Sequence, residues 1–220
     1  MADKYTGADQ DRRYTGEDVD ITYNVQRCIH AAECVNRLSS VFDTQKRPWI
    51  NADGAPADQI ADTIQHCPSG ALHYDPQDER LAEPTPDHNE ALLWENGPIQ
   101  VTGDLTIEGA NVAIEHETRV TLCRCGASHN KPFCDNSHKD IDFVTEEIEP
   151  KQIKDVESGG KLTITANANG PLELSGNLKI TGADGETLFQ GSKTWLCRCG
   201  HSSSKPFCDG THKKVNFTAE

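Results

Sequence analysis

The stretch CRCGASHNKPFCDNSH, which begins at Cys123, returns as CRCGHSSSKPFCDGTH at Cys197 with every candidate metal ligand at the same offset. Each copy reads C-x-C-x8-C-x3-H, giving Cys123, Cys125, Cys134 and His138 in the first and Cys197, Cys199, Cys208 and His212 in the second. Such a chain must fold so that three thiolates and one imidazole come together twice. From the donors alone, a structural zinc ion and a small iron-sulfur cluster are equally good readings. Neither leaves a ligand position obviously open for a substrate.

The spacing within the motif has a physical logic. A C-x-C pair aims both thiolates at one centre only if the chain bends, and Gly126 and Gly200 directly after it supply the freedom. Pro132 and Pro206, each followed by Phe and Cys, stiffen the return of the third thiolate, with the ring expected to shield the site. The imidazole lies one helical turn beyond that cysteine, so the two can face the same metal. Asp135 and Asp209 are placed to cap this turn by accepting free N–H groups.

The repeat is longer than the motif. NGPIQVTGDLTIEG from Asn96 matches NGPLELSGNLKITG from Asn169, and a single inserted residue separates this register from that of the two cysteine motifs. Each half reads as two short strands (IQVTG and LTIEG; LELSG and LKITG), a strand entering the ligand loop (RVTL; KTWL) and a closing apolar segment (IDFV; VNFT). The expectation is two small β units related by an approximate two-fold axis.

Only 35% of the residues are hydrophobic and the mean hydropathy is -0.65, so small cores reinforced by metal are expected. A formal net charge of -14 argues against nucleic acid or an anionic membrane as partner, and suits docking on a basic face of a redox protein. No run approaches the roughly 18 apolar residues of a membrane span, and no apolar signal core opens the chain; a cytoplasmic location is expected. Nine cysteines form three triplets with none left over, which points away from disulfides.

The remaining triplet is Cys28, Cys34 and Cys67. It lies in a segment where VDITYNV reads as a strand, IHAAECVNRL as a short helix and RPWI as a second strand. A helix from Pro56 places Ile60, Ala61 and Ile64 on one face, and CPSGALHY closes the segment as a turn and strand. The expected boundaries are a flexible leader at 1–18, an α+β domain at 19–75, a proline- and charge-rich linker at 76–92, a first half at 93–146, a joint at 147–160 and a second half at 161–220. Trp49, Trp94 and Trp195 are expected in the core, and the histidines outside the motifs on the surface or in packing.

The motif C-x-C-x2-S-x3-P-F-C-D-(G or N)-(S or T)-H is similar to the signature of the CDGSH (mitoNEET-like) iron-sulfur family. The resemblance implies a [2Fe-2S] cluster at each copy, one iron held by Cys123 and Cys125 or by Cys197 and Cys199, the other by Cys134 with His138 or Cys208 with His212. Asn136 stands where the family has glycine, as at Gly210, and asparagine tolerates left-handed backbone. Single-motif members form homodimers, so two motifs in one chain imply a covalent pseudo-dimer and make a monomer possible. The segment from Tyr14 to Tyr74 resembles divergent single-cluster ferredoxins, in which Cys28, Cys34 and Cys67-Pro68 would hold a [3Fe-4S] or [4Fe-4S] cluster. Ala31 occupies the middle cysteine position of a bacterial ferredoxin run, and His30 beside it is either a substitute ligand or a helix-start surface residue.

These features describe a ferredoxin-like α+β head and a mainly β, duplicated CDGSH body acting in electron transfer. Cluster transfer or redox and pH sensing is the alternative, with an apo-acceptor as partner; a zinc-stapled interaction module is another. No nucleophile-base pair or phosphate loop marks an enzyme. The histidine ligand predicts cluster loss below about pH 6.5, since a protonated ring cannot ligate.

Overall fold

The computed structural model describes residues 4–145, 152–154, 156 and 159–219. It divides into two compact units, Ala8–Pro84 on the one hand and Met1–Gly7 with Thr85–Glu220 on the other. Among the described residues no helix is long and apolar enough to cross a membrane.

In the first unit β1 (Arg12–Tyr14) pairs antiparallel with β2 (Val19–Tyr23); α1 (Glu33–Arg37) and α2 (Ala57–Gln65) follow, and β3 (Leu72–Pro76) returns antiparallel on the other edge of β2. The helix face expected from Ile60, Ala61 and Ile64 is buried at 0%, 4% and 0% exposure, against Ile21, Phe42 and Leu72. Helix α1 is shorter than IHAAECVNRL suggests. His30 and Ala32 take φ of 53° and 64°, left-handed values that no helix continues through. RPWI is not a strand either; it contributes one bridge, Phe42 to Ile50, in a loop closed by Asp43 N–H donating to Trp49 O at 2.8 Å.

The leader expected at 1–18 carries structure. Arg13 joins the edge strand β1, and its Nη1 donates to Asp20 at 2.8 Å and Asp75 at 3.2 Å, so charges that read as solvated are cross-strand partners. An edge strand held by backbone bonds and ion pairs needs no apolar alternation.

The second unit begins with Tyr5, whose N–H donates to Asn111 O at 3.0 Å and whose ring meets Phe133 edge-on at 6.3 Å. Its strands are β4 (Glu90–Leu93), β5 (Ile99–Glu108), β6 (Ala113–Leu122), β7 (Gln152–Ile153), β8 (Lys161–Ala166), β9 (Leu172–Thr181) and β10 (Thr187–Leu196), with one short helix, α3 (Thr211–Lys214). Residues 90–92 of the expected linker therefore belong to β4. Of the expected joint at 147–160, residues 147–151, 155, 157 and 158 lie outside the described residues.

The repeat is visible strand for strand: β4, β5 and β6 recur as β8, β9 and β10. The paired short strands expected in each half are one long strand, bent at Gly103 (φ 152°) and Gly176 (φ 134°), where the backbone of a neighbouring strand or Asn89 leaves no room for a Cβ. Such a local irregularity turns a strand without ending it. The bend lets one strand serve two partners. Residues 99–102 of β5 pair antiparallel with β4, while 104–108 pair parallel with β8 of the other half. Reciprocally, β9 pairs antiparallel with β8 through 172–175 and parallel with β4 through 179–181. The four strands close on themselves, and β6 and β10 add outside β5 and β9. The halves are thus not separate units laid side by side: Leu105, Ile107, Leu162, Ile164, Leu174 and Ile180, each 0% exposed, form one core drawn from both.

Candidate metal centres

Each ligand loop leaves the end of a long strand and is stitched back to it. Cys123 N–H donates to Pro132 O and Cys134 N–H to Thr121 O, both at 2.9 Å; in the second copy Cys197 N–H donates to Pro206 O at 2.7 Å and Cys208 N–H to Trp195 O at 2.9 Å. This bridge fixes the backbone of the third cysteine against the strand that carries the first. Inside the loop, Ser128 Oγ donates to Phe133 O at 2.7 Å and Ser202 Oγ to Phe207 O at 2.7 Å. The Asp cap is present in both copies. Asp135 accepts from Ser137 N–H at 3.0 Å, Ser137 Oγ at 2.6 Å and His129 N–H at 2.8 Å; Asp209 accepts from Thr211 N–H at 2.9 Å and from Ser203 N–H and Oγ at 2.9 and 2.8 Å. Burial raises the Asp135 pKa, but the Ser137 and His129 donors outweigh it and leave the carboxyl at about 2.

Asn136 and Gly210, with φ of 74° and 86°, occupy the same left-handed position, so the departure from glycine preserves the turn. The shielding ring is not the expected one. Phe133 and Phe207 sit in the sheet core, whereas Phe143 packs on Cys123 and Cys125. Phe143 N–H donates to His138 O at 3.1 Å, which folds the closing segment back over the site.

The donors fall into pairs. Cys123 and Cys125 sulfurs lie 3.7 Å apart and Cys197 and Cys199 sulfurs 3.6 Å; Cys134 Sγ lies 3.6 Å from His138 Nδ1, and Cys208 Sγ 3.4 Å from His212 Nδ1. Two thiolates on one tetrahedral ion at about 2.3 Å stand about 3.8 Å apart, and a thiolate and an imidazole about 3.6 Å, so each pair fits one metal. Among the described residues no three donors group on a single ion. Backbone N–H groups of Ala127, Asn136 and Gly210 point at Cys125, Cys134 and Cys208 sulfurs at 3.5, 3.4 and 3.4 Å, favouring thiolate. The Cys125 thiol holds Cys123 down against its burial, while burial pushes Cys134 up to about 11 and Cys199 up as well, so metal binding must expel protons.

The third triplet surrounds a cavity of about 30 Å³ lined by Cys28, Cys34 and Cys67 with Tyr23, Ala31 and Trp49. Cys34 lies in α1 and Cys67 follows α2, its N–H donating to Ile64 O at 2.9 Å. Burial first, then the charges of Cys67 and Cys28, push the Cys34 thiol up to about 11, which places the three sulfurs in one field. His30 borders this cavity but is exposed.

Residues 14–77 match a family model described as a divergent 4Fe-4S mono-cluster, and residues 96–139 and 169–213 both match one described as an iron-binding zinc finger of CDGSH type. The chain belongs to these iron-sulfur families. It carries one domain of the first and two of the second. It is also similar to the proteins named "Uncharacterized protein YjdI" of Escherichia coli K12 and O157:H7, each 38% identical over 63 residues, which is 29% of this chain and 83% of the relative.

Within the CDGSH domains the sequence reading located every paired donor but assigned no role to Ser128, Ser202, Arg124 or Arg198. Their recurrence at the motif offset was the available signal. Trp195, expected in the core, is 44% exposed, because strand alternation puts it opposite Leu196; its Nε1 donates to Glu173 at 3.0 Å. Asp135→Ala removes the cap and is expected to lower stability by about 1 kcal/mol while leaving all four donors of that centre in place, read by thermal unfolding with iron content unchanged.

Proposed function

We propose that this chain is an iron-sulfur electron carrier with two [2Fe-2S] clusters in its CDGSH body and one [3Fe-4S] or [4Fe-4S] cluster in a ferredoxin-like head. The observation that carries the reading is the division of each Cys3His set into two donor pairs, since a single zinc ion would draw all four donors together. The clusters supply one-electron chemistry. Cys123 with Cys125, and Cys197 with Cys199, would hold one iron of each cluster; Cys134 with His138, and Cys208 with His212, would hold the other. Cys28, Cys34 and Cys67 would hold the head cluster, and a fourth iron, if present, would take a non-cysteine ligand because Ala31 stands at the middle cysteine position.

The reciprocal pairing of β4 with β9 and of β8 with β5 supports a fused pseudo-dimer that works as a monomer. The net charge of -14 suits a basic redox partner rather than nucleic acid or an anionic membrane; the reading is completed by a carrier with no catalytic role of its own, working in the cytoplasm.

Anaerobic purification followed by iron and sulfide analysis with EPR tests this. Roughly seven irons per chain are expected with a [3Fe-4S] head and roughly eight with [4Fe-4S]. A colourless protein with zinc and no acid-labile sulfide would reject the reading. Cluster transfer is favoured by one observation: Cys208 and His212 are only partly buried, whereas Cys134 and His138 are 3% and 9% exposed. Transfer to an apo-acceptor from the second centre alone would support that role over simple electron carriage.

A further inference from the structure

The two ligand loops close in the same way but carry opposite charge. After its last donor each turns back through matching backbone bonds: Lys139 N–H donates to Asn136 O at 2.9 Å and Phe143 N–H to His138 O at 3.1 Å, while Lys213 N–H donates to Gly210 O at 3.1 Å and Phe217 N–H to His212 O at 3.0 Å. Lys131, Asp135 and Lys139 recur as Lys205, Asp209 and Lys213, but Asp140 and Asp142 are replaced by Lys214 and Asn216. With histidine neutral, residues 126–145 therefore carry a net charge of -1 and residues 200–219 one of +2. The first loop makes its turn with two carboxylates in these places. The turn itself thus does not call for the second loop's cations.

Lys213, Lys214, Val215 and Asn216 are all exposed. Lys179 and Lys193 on the neighbouring strands are neutralised by Glu90 at 3.5 Å and Glu173 at 2.7 Å, whereas Lys213 and Lys214 meet no carboxylate among the described residues. A third cation reaches the same segment from the other half, where Lys131 Nζ lies 5.8 Å from the ring centroid of Phe217. The metal donors beside this patch are also the accessible ones: Cys208 and His212 are half-buried, while Cys134 and His138 are buried. In a chain of net charge -14 the patch is a local reversal of sign. Screening over a Debye length of about 8 Å at physiological salt means that a docking surface reads the charges it touches and not the total.

We propose that the second CDGSH centre is the docking port for an acidic one-electron redox protein, whose carboxylates seat on Lys213 and Lys214 beside the half-buried pair of Cys208 and His212. The proposal rests on the reading of the chain as an iron-sulfur electron carrier and names the partner of one of its centres. A basic partner keeps the acidic remainder of the surface. Unpaired charges at the rim of an interface act mainly on the rate of encounter and its salt dependence. A partner steered to this patch meets a metal ligand at the surface, whereas the equivalent approach to the first centre meets Asp140 and Asp142 over covered donors. The duplicated halves would then be specialised by charge, each centre accepting a different sign of partner.

The test mixes the dithionite-reduced full chain at low ionic strength with oxidised cytochrome b5, an acidic acceptor, or oxidised cytochrome c, a basic one. In each encounter one electron leaves a cluster and reduces one haem iron, with no bond or proton exchanged. Replacing both lysines, Lys213→Glu with Lys214→Glu, is expected to slow the cytochrome b5 reaction at least tenfold. The same variant should not slow the cytochrome c reaction, and Lys139→Glu in the first loop should leave the cytochrome b5 rate within twofold. At about 0.5 M salt the tenfold difference should shrink to less than threefold. An unchanged cytochrome b5 rate in the double variant, or an equal loss in Lys139→Glu, overturns the proposal. If the double glutamate variant loads no iron, Lys213→Gln with Lys214→Gln is measured in its place and should slow the reaction at least threefold. Docking is also read without electron transfer, by a carbodiimide that condenses a carboxylate with a lysine amine it touches, releasing water. Mass mapping should find cytochrome b5 joined through Lys213 or Lys214, and links confined to other lysines overturn the proposal. Iron and sulfide counts on the parent protein separate the two ideas: absence of sulfide removes the carrier reading, whereas full loading without these links or rate losses removes only the docking port.

Discussion

Gly126→Ala is expected to strip iron from both CDGSH centres, not only from the one whose loop it alters. Gly126 has φ of 85°, and an added Cβ would run into the carbonyl oxygen and carbon of Cys199 in the other half; Gly200, at φ of 80°, stands in the same relation to Cys125. The left-handed backbone costs a non-glycine residue about 1–2 kcal/mol, and overpacking a close contact adds roughly 1–3 kcal/mol. The obstructing atoms are backbone, so no side-chain rotation relieves them. Whatever moves carries a ligand cysteine with it. Iron content and visible absorbance per chain should fall by more than half in Gly126→Ala and equally in Gly200→Ala. Gly185→Ala is the control, because φ of 88° gives the same conformational strain with nothing within 4 Å of the new Cβ. If Gly126→Ala loads both centres as well as Gly185→Ala does, the hairpins are not in the contact described.

Acidification is expected to bleach the CDGSH centres in two steps, the second centre first. Protonation of Nδ1 removes the lone pair that binds iron, so ligation competes with protons below about pH 6.5, the pKa of a free imidazole. Burial lowers the pKa of His138 below that value, ahead of the smaller effects of Lys139 and Arg124. A base whose folded pKa is depressed stabilises the fold fully above its unfolded pKa, and the contribution is lost as pH falls towards the folded one. His138, 9% exposed and covered with Cys134, should therefore hold its iron to lower pH than the partly exposed pair of Cys208 and His212. Visible absorbance followed from pH 7 downwards reads the two losses. His212→Cys should abolish the earlier one and His138→Cys the later. Absorbance that stays constant to about pH 4.5 would show that neither imidazole is a labile ligand.

The donors were legible because metal ligation tolerates little variation in residue type or spacing. Cys123, Cys125, Cys134 and His138 are named by the motif, and their counterparts by its repetition. Asp135 and Asp209 were legible for a similar reason, as a cap is a local hydrogen-bonding problem solved within a few residues. The α2 face followed from helical spacing alone. Where partners are distant in sequence, local reading failed. Arg13 reads as a solvated charge until Asp20 and Asp75 are brought beside it, and EALL at the end of a charged run reads as linker until two strands take it in. Gly103 and Gly176 look like turns that end strands; the fold uses them to bend continuous strands between two partners.

The sequence by itself determined the donor sets of this protein: three triplets of cysteine, two of them completed by a histidine at the same offset within one repeated unit. The tertiary structure alone decided how those units depend on each other. Strand exchange and the back-to-back approach of Gly126 to Cys199 and of Gly200 to Cys125 are relations between residues a whole repeat apart, set by β-pairing register. Register depends on which strand completes which neighbour's hydrogen bonds and buries which apolar face, and that balance exists only once both halves are present.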